Sequence, residues 1–123
     1  MTELPHSASQ SDLYKFQVRE TTQYAIFAID PDGLLVSWNA GVQHILGYAE
    51  EEWIGQHASI IFTPPDQARE VCLSEMTLAA EKGCSTDIRW HLRRDGTELF
   101  AHGFMPPSRA RERPLWGDFK ECV

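Results

Sequence analysis

No apolar run in this 123-residue chain approaches the ~20 residues needed to cross a bilayer, so membrane insertion is not expected. The opening stretch MTELPHSASQSD has neither a basic start nor an apolar core, so it is not read as a secretory signal. Basic residues are scarce: 11 Lys and Arg stand against 18 Asp and Glu, a formal charge of −7. An acidic surface repels phosphate backbones and argues against a nucleic-acid partner. Cysteine falls to three, Cys72, Cys84 and Cys122, odd in number and without C-x-x-C spacing. That argues for reduced thiols in the cytoplasm and against a disulfide framework or a zinc site. Catalytic signatures are missing too: no G-x-S-x-G elbow, H-E-x-x-H pair, Walker loop or kinase motif. No catalytic residue and no metal ligand is therefore expected. The acidic run Glu50-Glu51-Glu52 reads as the favourable start of a short helix, since adjacent carboxylates repel and the helix dipole favours them there.

What is present fits one domain with a bulky core, at 42% hydrophobic and 11% aromatic. Residues 1–10 are polar and aperiodic and read as a mobile leader. Leu13, Tyr14, Phe16 and Val18 give residues 11–22 a broad apolar band and predict an amphipathic flanking helix. YAIFAID and LLVSW, joined across Pro31-Asp32-Gly33, predict a hairpin. Asn39 then caps a helix over 40–46 that Gly47 ends. The segment 47–62 predicts one or two helical turns pinned by Trp53, Ile54, Ile60 and Ile61. Thr63 or Asp66 caps a long helix from about 66 to 82, closed by Gly83. Its apolar stripe is Cys72, Leu73, Met76 and Ala80, flanked by Val71 and Leu78.

A second hairpin follows, STDIRWHL and TELFAHGFM around Asp95-Gly96. With Asp95 and Gly96 as a two-residue loop, Ile88, Trp90, Leu92, Leu99 and Ala101 share one face. Arg89, His91, Phe100, His102 and Phe104 share the other, and a one-residue slip would exchange one strand's faces. In LWGDFKECV, Leu115, Gly117, Phe119 and Val123 alternate, so this stretch either supplies an edge strand or ends the chain as a loose tail. The order predicts an α+β fold: an open antiparallel sheet of four to five strands, with short helices and one longer helix on one face.

Three stretches in this order resemble a PAS domain of the S-box type found in bacterial sensor histidine kinases: YAIFAIDPDGLLVSWNAGVQHILGY, EEWIGQHASIIFTPPD and DIRWHLRRDGTELFAHGFM, over roughly residues 23–105. Asn39 matches the family's capping Asn at the strand exit. The resemblance implies a sensory or docking module that binds a small ligand, dimerises, or both, to regulate an output domain such as a histidine kinase. Residues 106–123 depart from the family's last strand and exit. Truncation or an altered reading frame would produce such an ending, so a fragment without independent function is a third reading.

Cofactor expectations follow from the same resemblance. The photosensory members carry a reactive cysteine in N-C-R-F-L-Q; the matching GQHASIIF has none, which argues against a flavin–cysteine adduct. Residues 66–82 hold no histidine, which argues against the family's usual axial ligation of haem. His57 is placed near a loop, and His91 and His102 on a strand face meeting solvent or a partner. Cys72 is expected to pack as a small apolar residue. A pocket for a small apolar or aromatic ligand would be lined by Phe27, Ile45, Trp53, Ile61, Met76 and Trp90, the same residues that would otherwise fill a core. Phe100, His102 and Phe104 on the outer sheet face are expected to meet residues 13–18 of this chain, with Leu13 and Phe16, or a second copy. The partner is thus a homodimer mate or another signalling protein.

Overall fold

The computed structural model describes residues 9–83, 85–105 and 115–121. Residues 1–8 of the leader expected over 1–10, Cys84, 106–114, and Cys122 and Val123 lie outside them. Helix α1, Gln10–Glu20, begins one residue before the predicted range. Ser9 Oγ accepts the Asp12 N–H at 3.2 Å while the Asp12 carboxylate accepts the Ser9 N–H at 3.2 Å, a reciprocal cap.

Strand β1, Ala25–Ile29, leads into a turn held by Asp30, whose Oδ1 accepts the Asp32 and Leu34 N–H groups at 2.9 Å each. The returning arm, 34–38, lies beside β1 with Ile29 bridged to Leu35, as expected of the hairpin. Its ladder is only partly backbone. Val36 N–H donates to Ala28 O at 3.0 Å, but Ala28 N–H donates to Ser37 Oγ at 2.8 Å and Ile26 N–H to Asn39 Oδ1 at 3.0 Å. Two side chains thus stand where strand carbonyls would, and no regular strand forms at 34–38. On its far side this arm is bonded by Leu35 N–H to Gln56 O and Gly55 N–H to Leu35 O, both 2.8 Å, so this stretch is not left as an open edge.

The 40–46 helix forms, but its body, Val42–Leu46, is a π turn, with Gly47 closing it at φ 87°. A short α2, Glu50–Trp53, and a 3₁₀ turn, Ala58–Ile61, follow. The single long helix expected over 66–82 is two: α3, Pro64–Ala68, with Thr63 in the N-cap position but making no side-chain cap bond, and α4, Val71–Lys82. Glu70 divides them in a left-handed conformation at φ 54°. This break re-aims α4, whose buried residues are Cys72, Met76 and Ala79; Leu73 and Leu78, expected on or beside the stripe, are exposed.

Strands β2, Ser85–Leu92, β3, Glu98–Met105, and β4, Leu115–Glu121, complete an antiparallel sheet in the order β1-β4-β3-β2. LWGDFKE is therefore a strand, and an inner one rather than an edge, because it bridges the two hairpins. The second hairpin closes with three loop residues, not two: Arg93 N–H donates to Thr97 O at 2.8 Å and Gly96 takes φ 87°. The extra residue shifts the register by one, pairing Trp90 with Phe100 and His91 with Leu99. Trp90 and Ile88 thereby leave the core face, and His91 and Arg89 join it. The core lies between the inner face of the sheet, from Ala25, Phe27, Ile29, Leu99 and Ala101, and the helical layer, from Val42, Leu46, Trp53 and Met76.

Candidate functional site

Of the six residues expected to line a pocket, Phe27, Ile45, Trp53, Ile61 and Met76 meet in one buried cluster; Trp90, 54% exposed, does not. Trp53 anchors that cluster. Its ring lies 5.1 Å from Phe27 and 5.3 Å from Tyr48, and its indole N–H donates to Ser37 O at 2.8 Å, so a fully buried aromatic leaves no orphan donor. Trp38 mirrors it, donating to Tyr48 O at 2.9 Å.

One end of the core is charged. Arg89 of β2 faces three carboxylates: its Nε lies 2.9 Å from Asp87, Nη1 3.4 Å from Asp66 of α3, and Nη2 3.4 Å from Glu75 of α4. Asp66 also accepts from Arg69 at 2.7 Å, and these two guanidinium groups, Arg69 first, hold its carboxyl below the usual range. His91, expected on an exposed face, is fully buried, with Nδ1 2.9 Å from Ile61 O and Nε2 3.0 Å from Asp87 Oδ1. Burial first, then repulsion from and hydrogen bonding to Asp87, push the Glu75 carboxyl up to about 9. Cys72, one turn earlier on α4, is buried as expected, and burial pushes its thiol up to about 12. Glu75 had escaped the sequence reading, although Cys72, Glu75, Met76 and Ala79 follow the i, i+3, i+4, i+7 spacing of one helix face.

The outer face of the β2–β3 hairpin carries four exposed apolar side chains. Ile88, Trp90, Phe100 and Phe104 are 57, 54, 37 and 40% exposed, and the Trp90 and Phe100 rings lie 5.4 Å apart. His102 is exposed among them. Helix α1 is held at its C-terminal end: Asn39 Nδ2 donates to Val18 O at 2.9 Å, and Arg19 lies 5.4 Å over the Trp38 ring and pairs with Glu50 at 3.2 Å. Between α1 and the sheet runs a groove of about 470 Å³ lined by Tyr14, Val18, Ile26 and Trp38. Leu13 is 42% exposed and Phe16 half-buried. His44 and His57 are exposed; the His57 ring accepts the Ser59 N–H at 3.1 Å and caps the 3₁₀ turn. Among the described residues no group of three or more His, Cys, Asp or Glu side chains is arranged to hold a metal ion, and no helix is long and apolar enough to cross a membrane.

This architecture recurs in known proteins. The chain is 35% identical over 100 residues to Two-component system protein A of Emericella nidulans; the match takes in 81% of this chain and 15% of that protein's length. A PAS domain from Colwellia psychrerythraea superposes with TM-score 0.79 at 19% identity, over 89% of this chain and 95% of that one. The PAS domain of a LuxR-family transcriptional regulator from Burkholderia thailandensis, solved with ethanol, gives TM-score 0.73 at 15% identity over 88% and 96%. The family model described as the PAS fold matches residues 15–116, which take in β1, β2, β3, every helix of the core and the start of β4, and the chain belongs to the PAS family of non-catalytic sensory modules.

Proposed function

We propose that this chain is an S-box-type input module that acts in the cytoplasm. In this reading it dimerises through its outer sheet face and so regulates a linked or partner output domain such as a histidine kinase. The observation that carries the reading is the contiguous Ile88, Trp90, Phe100 and Phe104 surface, an apolar patch of the kind that marks an interaction site. Its likeness to a two-component system protein supports the output assignment. Sedimentation velocity tests it: the chain sediments as a dimer, and a W90S/F100S variant as a monomer that still unfolds cooperatively. A monomeric wild type across micromolar concentrations overturns the reading.

A second reading rests on the groove beside α1 and on the buried Phe27, Trp53 and Met76 cluster: a small apolar or aromatic ligand binds this module. The absence of cysteine from GQHASIIF and of histidine from 66–82 argues against the flavin–cysteine and histidine-ligated haem chemistries of the family. Denaturing mass spectrometry of protein purified from cells tests the ligand: a stoichiometric small molecule supports it, and its reproducible absence overturns it.

A further inference from the structure

The α4–β2 contact gathers the carboxyls of Asp66, Glu75 and Asp87 around the Arg89 guanidinium. His91 Nδ1 faces a carbonyl oxygen, which can only accept, so Nδ1 carries a hydrogen. Nε2 faces Asp87 Oδ1 at 3.0 Å, so one proton lies between them, and the His91–Asp87 pair is neutral wherever that proton sits. Asp66 is served first by Arg69, at 2.7 Å, and more distantly by Arg89, at 3.4 Å. Glu75, whose side chain is 11% exposed, shares the Arg89 guanidinium with Asp66 and Asp87. Its Oε2 is buried without a hydrogen-bond partner, 3.4 Å from an Arg89 that already serves Asp87 and Asp66. Glu75 and Asp87 lie within hydrogen-bonding reach of each other, and two carboxyls can share such a bond only when one of them carries a proton; Glu75, with no donor on its Oε2, is the one that holds it.

We propose that Glu75, with Asp87, Arg89 and His91, forms a proton-binding site that latches α4 onto the sheet, and that loss of the Glu75 proton releases the helix. The groups facing Glu75 are Asp66 from α3, Asp87 and Arg89 from β2, and the Cys72 thiol of its own helix, while His91 holds Asp87 in turn. When the proton leaves, as H⁺ to solvent, two carboxylates oppose each other with one shared guanidinium between them. The backbone has a joint in the right place: Arg69 and Glu70 separate α3 from α4, so α4 can move without unwinding α3. As regulation of an input module this rests on the preceding reading; the latch itself does not.

Cys72 reports the latch, since it sits one turn from Glu75 on the same buried stripe. In a C84S/C122S background, the rate of Cys72 alkylation is followed between about pH 6 and pH 10, each value divided by the rate of the same protein carrying E75Q. The ratio is expected to rise about tenfold per pH unit as the Glu75 proton is lost, the slope of one proton. A ratio that stays flat overturns the proposal. Infrared spectroscopy of the unmodified chain needs no variant: a protonated carboxyl C=O band is present near neutral pH and disappears on titration to alkaline pH, and no such band overturns the site. A monomer that keeps the band sinks the dimer and retains the latch; a dimer without it does the reverse.

Discussion

Asn39 Oδ1 accepts the Ile26 N–H at 3.0 Å, a side chain standing in for a strand carbonyl. The same oxygen accepts the Val42 N–H at 3.1 Å, and Nδ2 donates to Val18 O, Thr21 O and Tyr24 O at 2.9, 3.2 and 2.9 Å. One fully buried carboxamide thereby ties the end of α1, the entry to β1 and the first turn of the middle layer. N39A orphans these groups and should cost on the order of 3 kcal/mol. N39D restores only the acceptor and sets a carboxylate against three carbonyls, so it should be no better. Urea unfolding of both variants is the check; N39D near wild-type stability would show that the amide donors matter little.

Gly33 and Gly96 both sit at positive φ, 86° and 87°, but in different surroundings. A Cβ at Gly96 meets nothing within 4 Å, so G96A should cost only the backbone penalty, about 1 kcal/mol. A Cβ at Gly33 would lie 2.5 Å from His57 Nε2. G33A should therefore cost more, and G33A/H57A should recover the collision but not the backbone strain. Equal losses for G33A and G96A would mean that His57 yields freely.

Those elements were legible because each demands a residue type: Asn39 as a cap, Gly33 at a turn, Gly47 and Gly83 at helix ends. Asp95-Gly96 announced the second turn, yet two- and three-residue loops both end on a glycine of positive φ, and loop length decides which face Trp90 occupies. Hydrophobicity pointed the wrong way, since the strand buries His91 and exposes Trp90. Nothing local marks the Arg69-Glu70 break, for neither residue is Gly or Pro. Glu75 was hidden for a related reason: a carboxylate on a helix reads as solvent-facing until its partners from β2 are known. The alternation in LWGDFKECV left an edge strand and a loose tail both open; the inner strand that forms follows from two hairpins needing a bridge, which no side chain encodes.

Trp53 is expected to be the costliest apolar truncation. It is fully buried, packs edge-on to Phe27 and satisfies Ser37 O. W53A should cost roughly 3–5 kcal/mol, and W53F less, losing mainly the hydrogen bond and leaving a small void. Thermal unfolding ranks them; W53F as damaging as W53A would place the weight on the indole N–H rather than on volume.

Two carboxyls with opposite shifts set the pH profile of stability. Glu75 keeps its proton up to about 9 when folded and releases it in the ordinary carboxylate range when unfolded. Between those limits the folded state binds more protons, so the stability this group contributes is complete below the ordinary range and lost as pH rises towards 9. Asp66, held low by Arg69 and Arg89, works in the other direction: its contribution is present above the ordinary range and lost as pH falls through its depressed value. Stability should therefore peak in mildly acidic solution, at about pH 5, and decline towards pH 9. E75Q removes the alkaline limb alone, so its urea midpoint should stay level from about pH 5 to pH 9 and exceed that of the wild type at the upper end. A wild-type midpoint that holds steady over that span, or an E75Q midpoint that falls in parallel with it, would mean that the folded chain already carries Glu75 as a carboxylate.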